Sequence, residues 1–460
     1  MPAPVLEHTY ADAVPQINPD WPAGPAAEPR VVLLNEALAA ELGLDADWLR
    51  GPEGIAFLTG HGGGRTVAQG YAGHQFGGFS PRLGDGRALL LGELVDAAGV
   101  RRDLHLKGSG RTPWSRGGDG LAALGPMLRE YVMGEAMHAL GIPTTRALAV
   151  LTTGGTVVRE RLLPGAILVR VAASHLRVGT VQLAATSGDE ELLRAVVAYA
   201  IKRHDPEADG PLAFLAGVAQ RQARLVAQWM GVGFVHGVMN TDNMTLSGET
   251  IDYGPCAFLD AHDPAVVFSS IDHQGRYAYG NQPALAQWDL TRLAECLIPL
   301  LGDDVDAAVA ELSEVLSSLA GMYEAELDSV LAAKLGLVGV PEAGALGREL
   351  WALLATEKPD HTGFFPDLAA GRQPAAFDEW AARWRALGPD VDSMGRANPV
   401  YVPRNHAVEE ALAAATAGDL APLHRLLDAV TNPYEERPGL ADLAEPAPLG
   451  LPPHVTYCGT

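Results

Sequence analysis

From about residue 70 to 172 the chain alternates short apolar runs with glycine-rich turns around one helical stretch, and from about 190 onward it is mostly amphipathic helix. This change of texture constrains the fold more than any other feature. The runs RALLLGELV (87–95) and RRDLHLKG (101–108) read as strands joined by tight turns. Residues 121–140 set Leu124, Met127, Leu128, Tyr131 and Leu140 near one face, the spacing of a helix. RALAVLTT, GTVVRERL and GAILVRVA then supply three further strand candidates. Beyond them, ELLRAVVAYAIKRH and AFLAGVAQRQARLVAQWM are long amphipathic helices, and helix returns over 285–355 and 405–430. The loop-rich block VGFVHGVMNTDNMTLSGETIDYGP interrupts that helical half. The pattern predicts an α+β, bilobal chain. Residues 1–64, with a helix signal at Asn35-Glu-Ala-Leu-Ala-Ala-Glu-Leu, form an N-terminal wrap. Residues 65–160 form a strand-rich lobe, 161–300 a second lobe carrying the loops, and 301–460 a helical extension.

Composition narrows the class of partner. A net charge of −23 argues against nucleic acid and anionic membrane surfaces, both of which select basic faces. No apolar run approaches the roughly 20 residues that span a bilayer, and the first residues show no basic start or apolar stretch of a signal peptide. Cys256, Cys296 and Cys458 are too few and scattered for a disulfide framework or a zinc site. The expectation is a cytoplasmic monomer. Lysine occurs only at 107, 202, 334 and 358, so each lysine stands out against an arginine-rich background.

Three separated segments carry chemistry when taken together. In Arg82-Leu-Gly84-Asp-Gly86-Arg87, glycines let backbone approach a phosphate and an arginine adds charge-assisted hydrogen bonds, although Gly-Asp-Gly alone describes any hairpin turn. In His105-Leu-Lys107-Gly108, a lysine closes a strand just before a helix bearing Glu130 and Glu135. Such a lysine reaches nucleotide phosphates when a helix carboxylate braces it. Glu130 shares the stripe of Met127, Gly134 and Met137 and is the preferred brace. In His236-Gly-Val-Met-Asn-Thr-Asp242-Asn243, followed by Asp252-Tyr253-Gly254, an amide and a carboxylate on neighbouring loops supply hard oxygen ligands for Mg2+. Protein kinases write these segments as His-Arg-Asp with an Asn further on, then Asp-Phe-Gly. The departure matters as much as the match. Where a kinase places its catalytic aspartate this chain has Val238, which accepts no proton, and the nearby carboxylate is Asp242. Arg170 and Arg177, seven apart, add two guanidinium forks suited to phosphate oxygens.

Longer strings resemble the selenoprotein O family of protein adenylyltransferases: GYAGHQFGGFSPRLGDGRALLLGE, HLKGSGRTPWSRGGDGLAALGPMLREY, HGVMNTDNMTLSGETIDYGP, HQGRYAYGNQP and NPVYVPRNHAVEEAL. The resemblance runs from about residue 5 to 460. It implies a protein-kinase-like fold that binds ATP in an inverted pose and transfers AMP to Ser, Thr or Tyr of protein substrates. Gly84, Gly86, Arg87, Lys107, Asp119, Gly120, Arg170, Arg177 and Asp252 would hold the nucleotide. Asn243 and Asp252 would bind Mg2+ or Mn2+, and Asp242 would be the base. Family members often end near a selenocysteine or cysteine, so Cys458 is expected in a redox-responsive tail, with Cys256 or Cys296 as its partner. The competing readings are UMP transfer from UTP with Mn2+, ordinary phosphotransfer, and a nucleotide-binding pseudokinase scaffold.

Overall fold

The computed structural model describes residues 4–456. Its strands are β1 (Arg30–Leu34), β2 (Gly73–Gln75), β3 (Gly78–Ser80), β4 (Ala88–Val95), β5 (Arg101–Lys107), β6 (Ala122–Ala123), β7 (Arg146–Val158), β8 (Leu162–Ala172), β9 (Phe234–Val235) and β10 (Ala257–Phe258). Six of them form one sheet, ordered β1-β7-β8-β5-β4, with β6 also on β8, and every pairing in it is antiparallel. β2 with β3, and β9 with β10, make two small separate pairs. Long helices such as Glu190–His204, Pro211–Val232 and Gln282–Leu297 fill most of the rest, so the protein is mixed α/β with an antiparallel sheet. No helix among the described residues is long and apolar enough to cross a membrane.

Two expectations are corrected. The three strand candidates between 146 and 172 are two strands. β7 runs on through Gly154 and Gly155, its register shifting between Thr152 and Thr156, and the chain reverses only at 159–161. There the N–H of Arg159 donates to the Arg161 carbonyl at 3.1 Å. The N-terminal residues also do more than wrap. β1 pairs with β7 as an edge strand of the main sheet. The helix Glu36–Glu41 follows, its start capped by Asn35, whose side chain accepts from the Leu38 N–H at 3.0 Å.

The period of two along a strand decides where the chemistry sits. Leu104 and Leu106 of β5, with Ile167, Val169 and Val171 of β8, face a core closed by Leu38, Leu49, Phe57 and Leu58 of the N-terminal helices. The alternate residues, His105 and Lys107 on β5 and Arg170 on β8, therefore point to the opposite face, and His105 and Arg170 are direct cross-strand partners. The helix Leu124–Ala139 packs over that face. It is buried nearly all round because the helices Asn405–Thr416 and Ala421–Val430 return to pack against it. A further core of Leu350, Phe364, Phe365, Phe377, Trp380 and Trp384 lies within the C-terminal helices.

Candidate active site

One cavity of about 800 Å3 opens between the sheet and the loops of the helical half. Gly84, Gly86, Arg87, Lys107, Asp119, Gly120, Glu130, Arg170, Arg177, Val238, Asp242, Asn243 and Asp252 all line it, although they are spread over 169 residue positions. Eight basic residues line the cavity (Arg87, Lys107, Arg116, Arg129, Arg159, Arg161, Arg170, Arg177) against six acidic ones (Asp85, Asp119, Glu130, Asp242, Asp252, Glu409). In a chain of net charge −23 this local excess of cations marks a site for an anion.

At its centre is a buried ionic cluster. Lys107, the last residue of β5, donates to Glu130 at 2.6 Å and also to Asp252. Arg170 Nε donates to the other Glu130 oxygen at 2.6 Å, and Arg170 Nη2 stands 3.5 Å from Asp252. Burial by itself raises the Glu130 carboxyl, but Arg170 and Lys107 outweigh it and hold the group below its usual range. Asp252 behaves alike: burial opposes ionisation, and Lys107, Arg170 and Arg87 together drive its carboxyl far below the ordinary carboxylate range. Glu135, the other candidate brace, faces away and forks onto Arg146 at 2.7 and 2.8 Å. Neither Lys107 nor the two arginines is a solvated surface cation; all three are buried.

The glycine loop is fixed from behind. Gly84 has φ of +91°, and a Cβ there would stand 2.5 Å from Trp114, so only glycine fits between loop and indole. Asp85 turns inward and contacts His105 Nε2 at 2.9 Å. His105 stacks on His175 at 4.1 Å, and His175 Nδ1 lies 3.2 Å from Asp103, which Arg203 bridges at 2.7 Å. This buried chain of imidazoles and carboxylates was not read from the sequence. The signal available was His105 itself, two residues before Lys107 and so on the same strand face. Asp119 is exposed and accepts from Arg159 at 2.7 Å, whereas Gly120 is buried against the backbone of Gly110 and Arg111.

The loop after β9 is held just as firmly. His236 Nε2 lies 2.9 Å from the Ile251 carbonyl, tying the segment that bears Asn243 to the one that bears Asp252. Arg177 Nη1 donates to the Asp242 carbonyl at 2.9 Å, and its guanidinium covers the Tyr71 ring at 4.4 Å. Burial lifts the Asp242 carboxyl to about 6, against the lowering influence of Arg177 and of a hydrogen bond from Gln75. Asn243 gives its side-chain N–H to the Val238 carbonyl at 3.1 Å, which leaves the amide oxygen for a cation. Asp252 has φ of +65°, a left-handed conformation rare for a non-glycine residue and common where loops serve ligands. One amide oxygen and one carboxylate fit Mg2+ or Mn2+, which complete their shells with water and phosphate oxygens. No cluster of three His, Cys, Asp or Glu side chains suited to a metal occurs among the described residues, so any cation here would draw most of its ligands from water and substrate.

Cys458 lies outside the described residues. The two possible partners are buried, and burial pushes the Cys256 thiol up to about 11 and the Cys296 thiol up to about 12. The described end of the tail does reach this region: the Thr456 hydroxyl donates to the Pro255 carbonyl at 3.0 Å.

A family model described as protein adenylyltransferase SelO matches residues 10–390. The chain belongs to the SelO family. Among its relatives, a protein nucleotidyltransferase YdiU of Mycobacterium sp. (strain KMS) is 56% identical, with 99% of each chain covered. The YdiU protein of Mycolicibacterium smegmatis is 57% identical over 100% of this chain and 99% of its own length. One from Cereibacter sphaeroides (strain KD131) is 54% identical over 99% of both. This SelO-family chain is accordingly an enzyme of the nucleotidyltransferase type, and its excess of cations in the cavity is what such a substrate demands.

Proposed function

We propose that the protein transfers AMP from ATP to hydroxyls of Ser, Thr or Tyr in protein substrates, releasing pyrophosphate. The scaffold of this reading is a bilobal protein-kinase-like fold, with the sheet β1-β7-β8-β5-β4 in one lobe, the loops between 234 and 258 in the other, and 301–460 extending the second. The observation that carries it is Val238. This apolar side chain lines the cavity beside Asn243 and Asp252, where phosphotransfer onto a hydroxyl would need a carboxylate. Lys107, Arg170 and Arg177 are instead gathered as buried cations in the same cavity. They suit a leaving pyrophosphate, with Gly84, Gly86, Arg87, Asp119 and Gly120 bordering the rest of the nucleotide. Asn243 and Asp252 would hold Mg2+ or Mn2+, whose chemistry there is to neutralise phosphate charge. Asp242, its carboxyl raised to about 6, is ionised at neutral pH and receives the acceptor proton. As the acceptor oxygen bonds to the α-phosphorus, the bond from that phosphorus to the bridging oxygen breaks.

The test is label position. Incubated with a cell lysate, the protein transfers label from α-32P-ATP and none from γ-32P-ATP, and the modified residue gains the mass of AMP. Incorporation of γ-label without α-label overturns the reading in favour of phosphotransfer. Faster transfer from α-32P-UTP with Mn2+ replaces AMP by UMP, and no transfer from any nucleotide leaves a binding scaffold.

A further inference from the structure

Asp242 is only 7% exposed, and its carboxylate has one side-chain donor among the described residues: Gln75, whose Nε2 lies 3.1 Å from Oδ2. Oδ1 has no hydrogen-bond partner among them. Gln75 ends β2 of the small hairpin at 73–80, which stands apart from the main sheet. Three successive residues of this hairpin are stitched to the loop 240–242. The His74 N–H donates to Thr241 Oγ1 at 2.7 Å, Gln75 reaches Asp242, and the Phe76 N–H donates to Asn240 Oδ1 at 3.3 Å. The turn itself is stiff. Phe76 and Gly77 have φ of +52° and +81°, as the two central residues of a two-residue type I′ turn require. Gly73 brings β2 directly onto the carboxylate, since a Cβ there would stand 2.9 Å from Asp242 Oδ1.

An unrestrained carboxylate turns broadly about its last torsion. Here a rigid backbone aims one amide at one oxygen. We infer that Gln75 is a positioning residue for nucleotidyl transfer, a step beyond the function proposed above that rests on it. Its amide turns and holds the Asp242 carboxylate so that the remaining lone pairs meet the acceptor hydroxyl. The proton passes from that hydroxyl to Asp242 while the new oxygen–phosphorus bond forms and pyrophosphate leaves.

The experiment measures α-32P label entering the total protein of a cell lysate, with ATP titrated, for wild type, Gln75→Ala, Asp242→Asn and the double variant. Calorimetry gives the ATP Kd of each, and Gly73→Ala, which pushes directly on the carboxylate, is a second perturbation of the same contact. Gln75→Ala and Gly73→Ala are expected to lower the saturating rate about tenfold or more, while KM and Kd for ATP stay within about twofold. In the Asp242→Asn background, Gln75→Ala is expected to change the residual rate by less than about twofold, because its only route of action is gone. A general loss of structure would not vanish in that background. A full rate for Gln75→Ala, an undiminished effect in the double variant, or a loss confined to ATP affinity each overturns the positioning role alone. Absence of α-label from the wild type overturns the proposed function and this role with it.

Discussion

Replacing Glu130 with glutamine keeps the shape of the side chain and removes one negative charge from the buried cluster. Lys107 and Arg170 are balanced there by Glu130 and Asp252, with Glu130 gripping both cations at 2.6 Å. The variant leaves one uncompensated positive charge among Lys107, Arg170 and residue 130, which are 3–7% exposed, beside Asp252, whose side chain is 32% exposed. Breaking a buried pair costs about 3–5 kcal/mol, and the lower end applies because Lys107 keeps Asp252. With an unfolding entropy of about 2.1 cal/mol/K per residue, a 460-residue chain melting as one unit loses about 3 °C for about 3 kcal/mol. Pyrophosphate supplies the missing negative charge, so it should raise the melting temperature of Glu130→Gln by more than it raises that of wild type. Transfer should fall by about a hundredfold, since Lys107 loses the group that aims it. Differential scanning calorimetry with and without pyrophosphate, beside the α-label assay, measures all three quantities. An unchanged melting temperature, or a smaller pyrophosphate shift than in wild type, would refute the charge argument.

Asn243→Ala and Asp252→Ala should each abolish transfer with little change in circular dichroism, and near-normal turnover of either at saturating Mg2+ would remove it as a metal ligand. Val238→Asp should not create γ-label transfer, because a carboxylate there does not re-aim the nucleotide; appearance of γ-label would count against the proposed pose. Lys334 is buried with its ammonium 3.9 Å from the centre of the Phe365 ring, and burial lowers its pKa to about 7. The unfolded chain therefore binds more protons between about pH 7 and 10.5, so stability should rise with pH over that window. Lys334→Met should flatten the slope and add up to about 4 kcal/mol at pH 7, as chemical denaturation would show; an unaltered slope would mean that another group titrates there.

Sequence alone determined the elements whose signal is local. The alternation in RRDLHLKG sets His105 and Lys107 on one face and Leu104 and Leu106 on the other, whatever the rest of the chain does. The stripe through Met127 and Glu130 singled out Glu130, and the structure joins that residue to Lys107 while Glu135 goes to Arg146. Gly84, Gly86, Arg87, Lys107, Asn243 and Asp252 are legible from motif spacing, because phosphate and metal chemistry restricts which residue types serve, whereas Asp119 and Gly120 enter only through the family resemblance. Tertiary structure decided what depends on approach between distant segments. The N-terminal residues gave a helix signal, but only pairing with β7 makes 30–34 an edge strand. GTVVRERL carries as strong a strand pattern as its neighbours, yet its reversal point follows from how β7 meets β8 across the glycine pair. Gln75 could not be joined to Asp242 in advance: 167 residues separate them, and a single amide bears no periodic mark. The same holds for Asp85, His105, His175 and Asp103. Their network follows from two loops and a strand brought together by burial, where an unpaired polar group is costly enough that the fold supplies partners.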